Sequence, residues 1–186
     1  MPGLYVHIPF CRTICPYCDF VRVRDRGAPV DAFVDALRRE IAWAPPKTAP
    51  LRSVFFGGGT PSLLDEAQLG GILDALERRF GLSAAVEITL EANPDDVTGE
   101  KARMWRRLGV NRVSLGVQSF DDAALRYLGR RHGADGARRA CETIRDVFDN
   151  WSMDLIYGAR PVGSWTATLE ECVRFDPPHV SAYGLT

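Results

Sequence analysis

Three cysteines stand at CxxxCxxC spacing in the stretch His7 to Phe20, HIPFCRTICPYCDF, directly after the first strand-like run. Thiolates select soft metals, chiefly zinc or the iron of an iron–sulfur cluster. Pro9 and Pro16 stiffen the backbone that must turn Cys11, Cys15 and Cys18 inward together. A structural zinc site asks for four protein ligands, yet the next cysteine, Cys141, lies far downstream in a helix-like segment. Three thiolates on a four-iron cluster would leave one iron open, and an open position is where a substrate or cofactor binds. The competing assignments are a disulfide beside a spare thiol, or a zinc knuckle completed by a histidine. The odd cysteine count and the lack of a secretory segment argue against both.

Other residue types could complete a site. Gly57-Gly-Gly-Thr-Pro61 follows a strand-like run, and consecutive glycines let backbone N–H and C=O groups approach a ligand closely. The turn lacks the Lys-Ser/Thr of a phosphate loop and the spacing of a dinucleotide fingerprint, so alone it is a weak signal. Glu91 and Gln118 fall at the C-terminal ends of strand-like runs, and Asp154 lies inside one. A carboxylate facing the interior of a βα fold needs a partner. Arg130 and Arg131 read as a solvated helix-end pair, the commoner outcome for adjacent charges. His7, His132 and His179 form no metal-binding spacing. Cys141, Cys172 and the tryptophans read as packing residues.

The elements that must position these groups alternate regularly. Strand-like runs at Leu4–Ile8, Ser53–Gly57, Val86–Glu91, Arg112–Val117, Met153–Tyr157 and Val180–Gly184 are separated by helix-like runs, the βα pattern of a parallel sheet. Val30, Phe33, Val34, Leu37 and Ile41 mark one helical stripe, and Leu69, Ile72, Leu73, Leu76 and Phe80 mark another, opened by the capping pair Asp65 and Gln68. Further helices are predicted over Thr98–Leu108, Asp121–Leu128, Ala134–Phe148 and Ser164–Phe175.

Several strands alternate apolar with polar residues: Val86, Ile88 and Leu90 oppose Glu87, Thr89 and Glu91, while Val113, Leu115 and Val117 oppose Arg112, Ser114 and Gln118. Fully covered parallel strands read instead as continuous apolar runs. Helices on both faces would bury the polar side unpaired, at high cost. Curling the sheet into a partial (βα)6 TIM-like barrel, with parallel strands inside and helices outside, removes the conflict and leaves a polar interior for a ligand. In such barrels the active site lies at the C-terminal strand ends, which is where the cysteine loop falls.

With 46% apolar residues, a net charge of −1 and lysine only at positions 47 and 101, the chain reads as one globular domain without a basic stripe, so nucleic acid is not an expected partner. No run approaches the length of a membrane span and no signal peptide is evident, so the expectation is a cytoplasmic protein with reduced thiols.

In this order, YVHIPFCRTICPYCDF, FFGGGTPSLL, EANPDD, GVNRVSLGVQSF and SAYGLT resemble radical S-adenosylmethionine (SAM) proteins of the oxygen-independent coproporphyrinogen III oxidase-like family, and within it the heme chaperone branch. The resemblance implies that Cys11, Cys15 and Cys18 hold a [4Fe-4S] cluster whose open iron is chelated by SAM. It also implies that Tyr5 and Tyr17 flank the pair and that Gly58, Gly59 and Thr60 bind SAM. Glu91, Gln118, Arg130 and Asp154 would contact SAM from successive strands, with Gly184 near the adenine. The family's chemistry is reductive cleavage of SAM to methionine and a 5′-deoxyadenosyl radical. Implied partners are heme or a porphyrinogen, a hemoprotein acceptor, an electron donor, and peripheral membrane contact through the acceptor.

Two positions depart from the family pattern. Porphyrinogen oxidases carry a further cysteine where Phe20 stands, which disfavours propionate decarboxylation, and Tyr157-Gly-Ala-Arg-Pro-Val-Gly163 replaces a YGLPGQ-like loop. The sequence also stops at the sixth predicted strand, where family members continue into a C-terminal domain. Residues 1–186 are therefore expected to be a radical SAM core fragment.

Overall fold

Strands and helices alternate as the apolar periodicity requires. A computed structural model describes residues 2–45, 49–160 and 164–185. The elements run β1 (Gly3–Ile8), β2 (Phe10–Cys11), β3 (Val23–Arg24), α1 (Val30–Trp43), β4 (Leu51–Gly58), α2 (Glu66–Phe80), β5 (Leu82–Ala92), α3 (Gly99–Arg107), β6 (Arg112–Gln118), α4 (Asp122–Tyr127), α5 (Ala134–Val147), β7 (Trp151–Tyr157), α6 (Ser164–Phe175) and β8 (His179–Gly184). Short 3-10 turns at Pro61–Leu63 and Pro94–Asp96 follow β4 and β5.

One sheet takes the strands in the order β1-β4-β5-β6-β7-β8. Every neighbouring pair is parallel. This is the partial (βα)6 barrel expected: among the described residues β1 and β8 do not pair, so the barrel is not closed by hydrogen bonds. Val6, Val54, Phe56, Leu90, Val113, Leu115 and Met153 are buried in a single core with helix residues such as Leu69, Ile72, Trp105 and Ile144. The opposite face is polar, as the alternation required. Ser114 pairs in register with Ser152, and Ser152 Oγ donates to Ser114 Oγ at 3.0 Å.

Helix α2 starts where its side chains fix it. Asp65 accepts from the Gln68 backbone N–H at 2.8 Å, and the Gln68 side-chain oxygen accepts from the Asp65 N–H at 3.0 Å, closing a reciprocal cap. Helix α3 is capped by Thr98, whose hydroxyl accepts from the Lys101 N–H at 3.1 Å.

Three expectations need correction. Strand β5 begins at Leu82, four residues earlier than the periodicity predicts, and Glu87, although it shares a face with Thr89, whose hydroxyl donates to it, is exposed. Glu87 pairs with Ser53 of β4 on one side, but β5 pairs with β6 only from Thr89 onward, which leaves its other side open. Among the tryptophans, Trp105 and Trp151 are core residues, but Trp43 at the end of α1 is 82% exposed. Arg130 and Arg131 do not form a solvated pair. Only Arg131 is exposed, and Arg130 is turned into the site. The loop departure at residues 157–163 falls partly on 161–163, outside the described residues.

Candidate cluster and cofactor site

The cysteine loop leaves β1 at Pro9 and is closed by a two-residue ladder that sequence periodicity cannot detect. Phe10 and Cys11 pair with Val23 and Arg24. Val23 N–H donates to Pro9 O at 2.8 Å, and Asp25 N–H donates to Cys11 O at 3.0 Å. All five cysteines are free thiols. Burial raises the Cys11 thiol above its ordinary value, Thr60 opposes this, and the charges of Cys18 and Cys15 raise it further, so both of those sulfurs lie within electrostatic reach of Cys11.

They are not gathered for a single ion, since no His, Cys, Asp and Glu group of three or more among the described residues has that geometry. A cube of four irons takes each thiolate on a different metal atom and tolerates a wider spacing.

Two neighbouring elements hold the loop. Thr60 Oγ1, at the end of the glycine turn, donates to Cys11 Sγ at 3.5 Å. Arg130 Nη1 donates to Cys15 Sγ at 3.8 Å and to the Tyr17 hydroxyl at 3.4 Å. Arg130 Nη2 donates to Gly116 O at 2.8 Å and to Asn93 Oδ1. Asn93 Nδ2 in turn donates to Thr60 Oγ1 at 3.3 Å. Asn93 thus bridges the two groups that touch the cysteines, a role its place in EANPDD did not reveal. Behind it, Ser62 Oγ donates to Asp96 Oδ2 at 2.8 Å, and Arg12, inside the cysteine loop, pairs with Asp96 Oδ1 at 3.1 Å. Asp96 is buried and Lys101 Nζ donates to Ser62 O at 2.7 Å.

The glycine turn is shaped by close approach. Gly58 has φ +109°, and a Cβ there would stand 2.4 Å from the His7 ring. A Cβ at Gly59 would stand 2.6 Å from the Pro9 carbonyl carbon and 2.7 Å from Phe10 O, the backbone leading into Cys11. Gly59→Ala is expected to push turn and loop apart, at a cost of about 1–3 kcal/mol. A lowered urea midpoint with an unchanged slope checks it, and an unaltered midpoint would contradict the packing described.

Further along the sheet, Gly58 N–H donates to Glu91 Oε2 at 3.1 Å. Burial, and then the charge of Asp154, raise the Glu91 carboxyl to about 7, against the pull of that hydrogen bond. Asp154 is also raised by burial, against the pull of Ser114 and Ser181; Ser114 Oγ donates to its Oδ2 at 2.8 Å, while among the described residues its buried Oδ1 has no partner in full hydrogen-bond geometry. An orphaned buried carboxylate oxygen is a place for a cationic or hydroxyl-bearing ligand. Gln118 closes β6 at φ +66°, a left-handed conformation strained in a non-glycine residue, just past a register shift.

On β1, His7 Nε2 lies 2.8 Å from Val21 O and its Nδ1 lies 3.3 Å from the Tyr5 hydroxyl. The carbonyl fixes Nε2 as the donor, so Tyr5 donates to Nδ1. Tyr5 stacks on Phe55, with ring centroids 6.0 Å apart. Gly184 lies at the exposed edge strand, and a Cβ there would stand 2.9 Å from the Tyr157 hydroxyl. Its register partner is Tyr157 of β7, which is not among the other candidate residues.

Comparison with known proteins agrees with this geometry. Residues 5–163 match the family described as the radical SAM superfamily, and the chain belongs to it. Within that class its relatives include the heme chaperone HemW of Bacillus subtilis, 37% identical over 100% of this chain and 50% of that protein. HemW of Escherichia coli is 38% identical over 99% of this chain and 50% of that protein. A solved structure, the coproporphyrinogen III oxidase HemN of Escherichia coli, described as a radical SAM enzyme, superposes with a TM-score of 0.89 at 28% identity, over 99% of this chain and 44% of that one. The chain therefore spans about half the length of the curated relatives it matches. The superfamily implies a [4Fe-4S] cluster and SAM. The three free thiols, the close-approach glycine turn and the unpartnered Asp154 oxygen fit both.

Proposed function

We propose that this chain carries a [4Fe-4S] cluster and SAM at the C-terminal ends of its strands and works as a heme chaperone, which takes up heme and hands it to a hemoprotein. The carrying observation is the cysteine loop clasped between Thr60 and Arg130 in a chain whose whole length aligns with HemW proteins. When bound, cluster and SAM supply one-electron cleavage of a sulfonium C–S bond.

Cys11, Cys15 and Cys18 would hold the cluster, with Tyr5 and Tyr17 beside it. Gly58, Gly59 and Thr60 would offer backbone groups to SAM. Glu91 and Asp154 would receive its cationic and hydroxyl groups, Arg130 its carboxylate, and Gln118 and Gly184 its nucleoside. The polar sheet face would orient the ligand. The five free thiols support a reducing, cytoplasmic setting. Among the described residues no helix is long and apolar enough to cross a membrane. An electron donor would reduce the cluster, and any membrane contact would come through a membrane-bound acceptor.

Titrating anaerobically prepared protein with heme, followed by mixing with an apo-hemoprotein, tests the reading. Saturable uptake and transfer are expected; failure of either removes it. The likeness to HemN favours a second reading, oxidative decarboxylation of coproporphyrinogen III. Phe20, at the position of the oxidases' further cysteine, speaks against it, and protoporphyrinogen formed with dithionite, SAM and substrate would restore it.

A further inference from the structure

The segment after the third cysteine is ordered, yet it turns apolar side chains to solvent. Phe20 is 65% exposed, Val21 77% and Val23 46%. It is fastened from several directions. His7 Nε2 donates to Val21 O at 2.8 Å and Arg22 Nη1 to Phe20 O at 2.7 Å. Val23 N–H donates to Pro9 O at 2.8 Å. Tied in this way, the strip cannot fold inward to cover its own apolar surface, and an ordered apolar patch of this kind marks a binding face.

The charge beside it narrows the occupant. Arg24 and Arg26 are exposed, and among the described residues neither has a carboxylate within 4.0 Å. Asp19 and Asp25 interrupt the run, so it is no polyanion site. Exposed apolar side chains followed closely in the chain by two unpaired guanidiniums on long, bendable stems suit a small amphipathic diacid.

We propose that Phe20, Val21 and Val23 receive one face of a heme or porphyrin ring, and that Arg24 and Arg26 receive its two propionates. This rests on the heme-chaperone reading and adds a place to it. The strip follows directly on the cysteine loop, so the ring would dock beside the cluster site. Because the strip is already ordered, docking costs little conformational freedom.

The test is heme titration of the protein and two variants, with iron content after reconstitution as the check on folding. Phe20→Ser/Val21→Ser/Val23→Ser, all at exposed positions, is expected to keep its iron and bind heme at least tenfold more weakly. Arg24→Gln/Arg26→Gln is expected to weaken heme binding while leaving the affinity for heme dimethyl ester unchanged. Wild-type heme affinity in both variants overturns the docking strip and leaves the chaperone reading standing. A wild-type protein that binds no heme overturns both. Loss of binding to phosphatidylcholine–phosphatidylglycerol vesicles in the apolar variant, with heme affinity intact, would make the strip a membrane face and likewise overturn the proposal.

Discussion

Cys11→Ala, Cys15→Ala and Cys18→Ala should each leave a folded chain that fails to retain iron after anaerobic reconstitution. Groups that merely orient metal ligands are worth about 10–100-fold in metal affinity, so removing a thiolate ligand should lower bound iron at least that far. The brown chromophore should vanish with it. Cys141→Ala and Cys172→Ala serve as internal controls. Both sulfurs are buried, in α5 and α6, and burial raises both thiols. Their loss should cost stability of about 1 kcal/mol with iron unchanged. If Cys15→Ala held as much iron as the wild type, the cluster assignment would be wrong.

Glu91→Gln should stabilise the ligand-free protein while weakening its hold on SAM. The folded carboxyl lies near 7 against an ordinary value of 4.5. A raised carboxyl favours the protonated, folded state, so below about 4.5 it carries no penalty. As pH rises the unfolded chain ionises first, and the penalty grows until it is complete above about 7. A difference of that size amounts to at most about 3 kcal/mol. Glutamine keeps an acceptor for the Gly58 N–H without the charge. Thermal unfolding should therefore show the variant more stable at pH 8, with the gap closing toward pH 5. SAM affinity should fall roughly 10–100-fold, the worth of a charge-assisted hydrogen bond. A gap that is flat with pH would show that Glu91 is not buried as described.

These effects start from residues that sequence alone could and could not place. The strands were legible because Val86, Ile88 and Leu90 or Val113, Leu115 and Val117 alternate with polar partners, and the α2 start was legible because Asp65 and Gln68 have capping spacing. The cysteine loop and glycine turn were legible as local patterns.

The clasp that joins them was not. Asn93 links Thr60 to Arg130, and Asp96 links Arg12 to Ser62, across loops that meet only because β4, β5 and β6 end side by side. Nothing in the spacing of those residues announces such contacts. The β2–β3 ladder escaped because two residues are too few to show a period. Arg130 was misjudged because adjacent arginines at a helix end are commonly solvated; here Arg131 takes the exposed place, 4.0 Å from Asp95, and Arg130 faces the thiols.

The most direct measurement is electron paramagnetic resonance of the anaerobically reconstituted, dithionite-reduced protein, before and after SAM is added. The spectrum should show one reduced cluster whose signal changes shape with SAM, because on the proposed reading SAM would occupy the iron that the three cysteines leave free. A cluster signal indifferent to saturating SAM, or colourless protein holding zinc in place of iron, would contradict it.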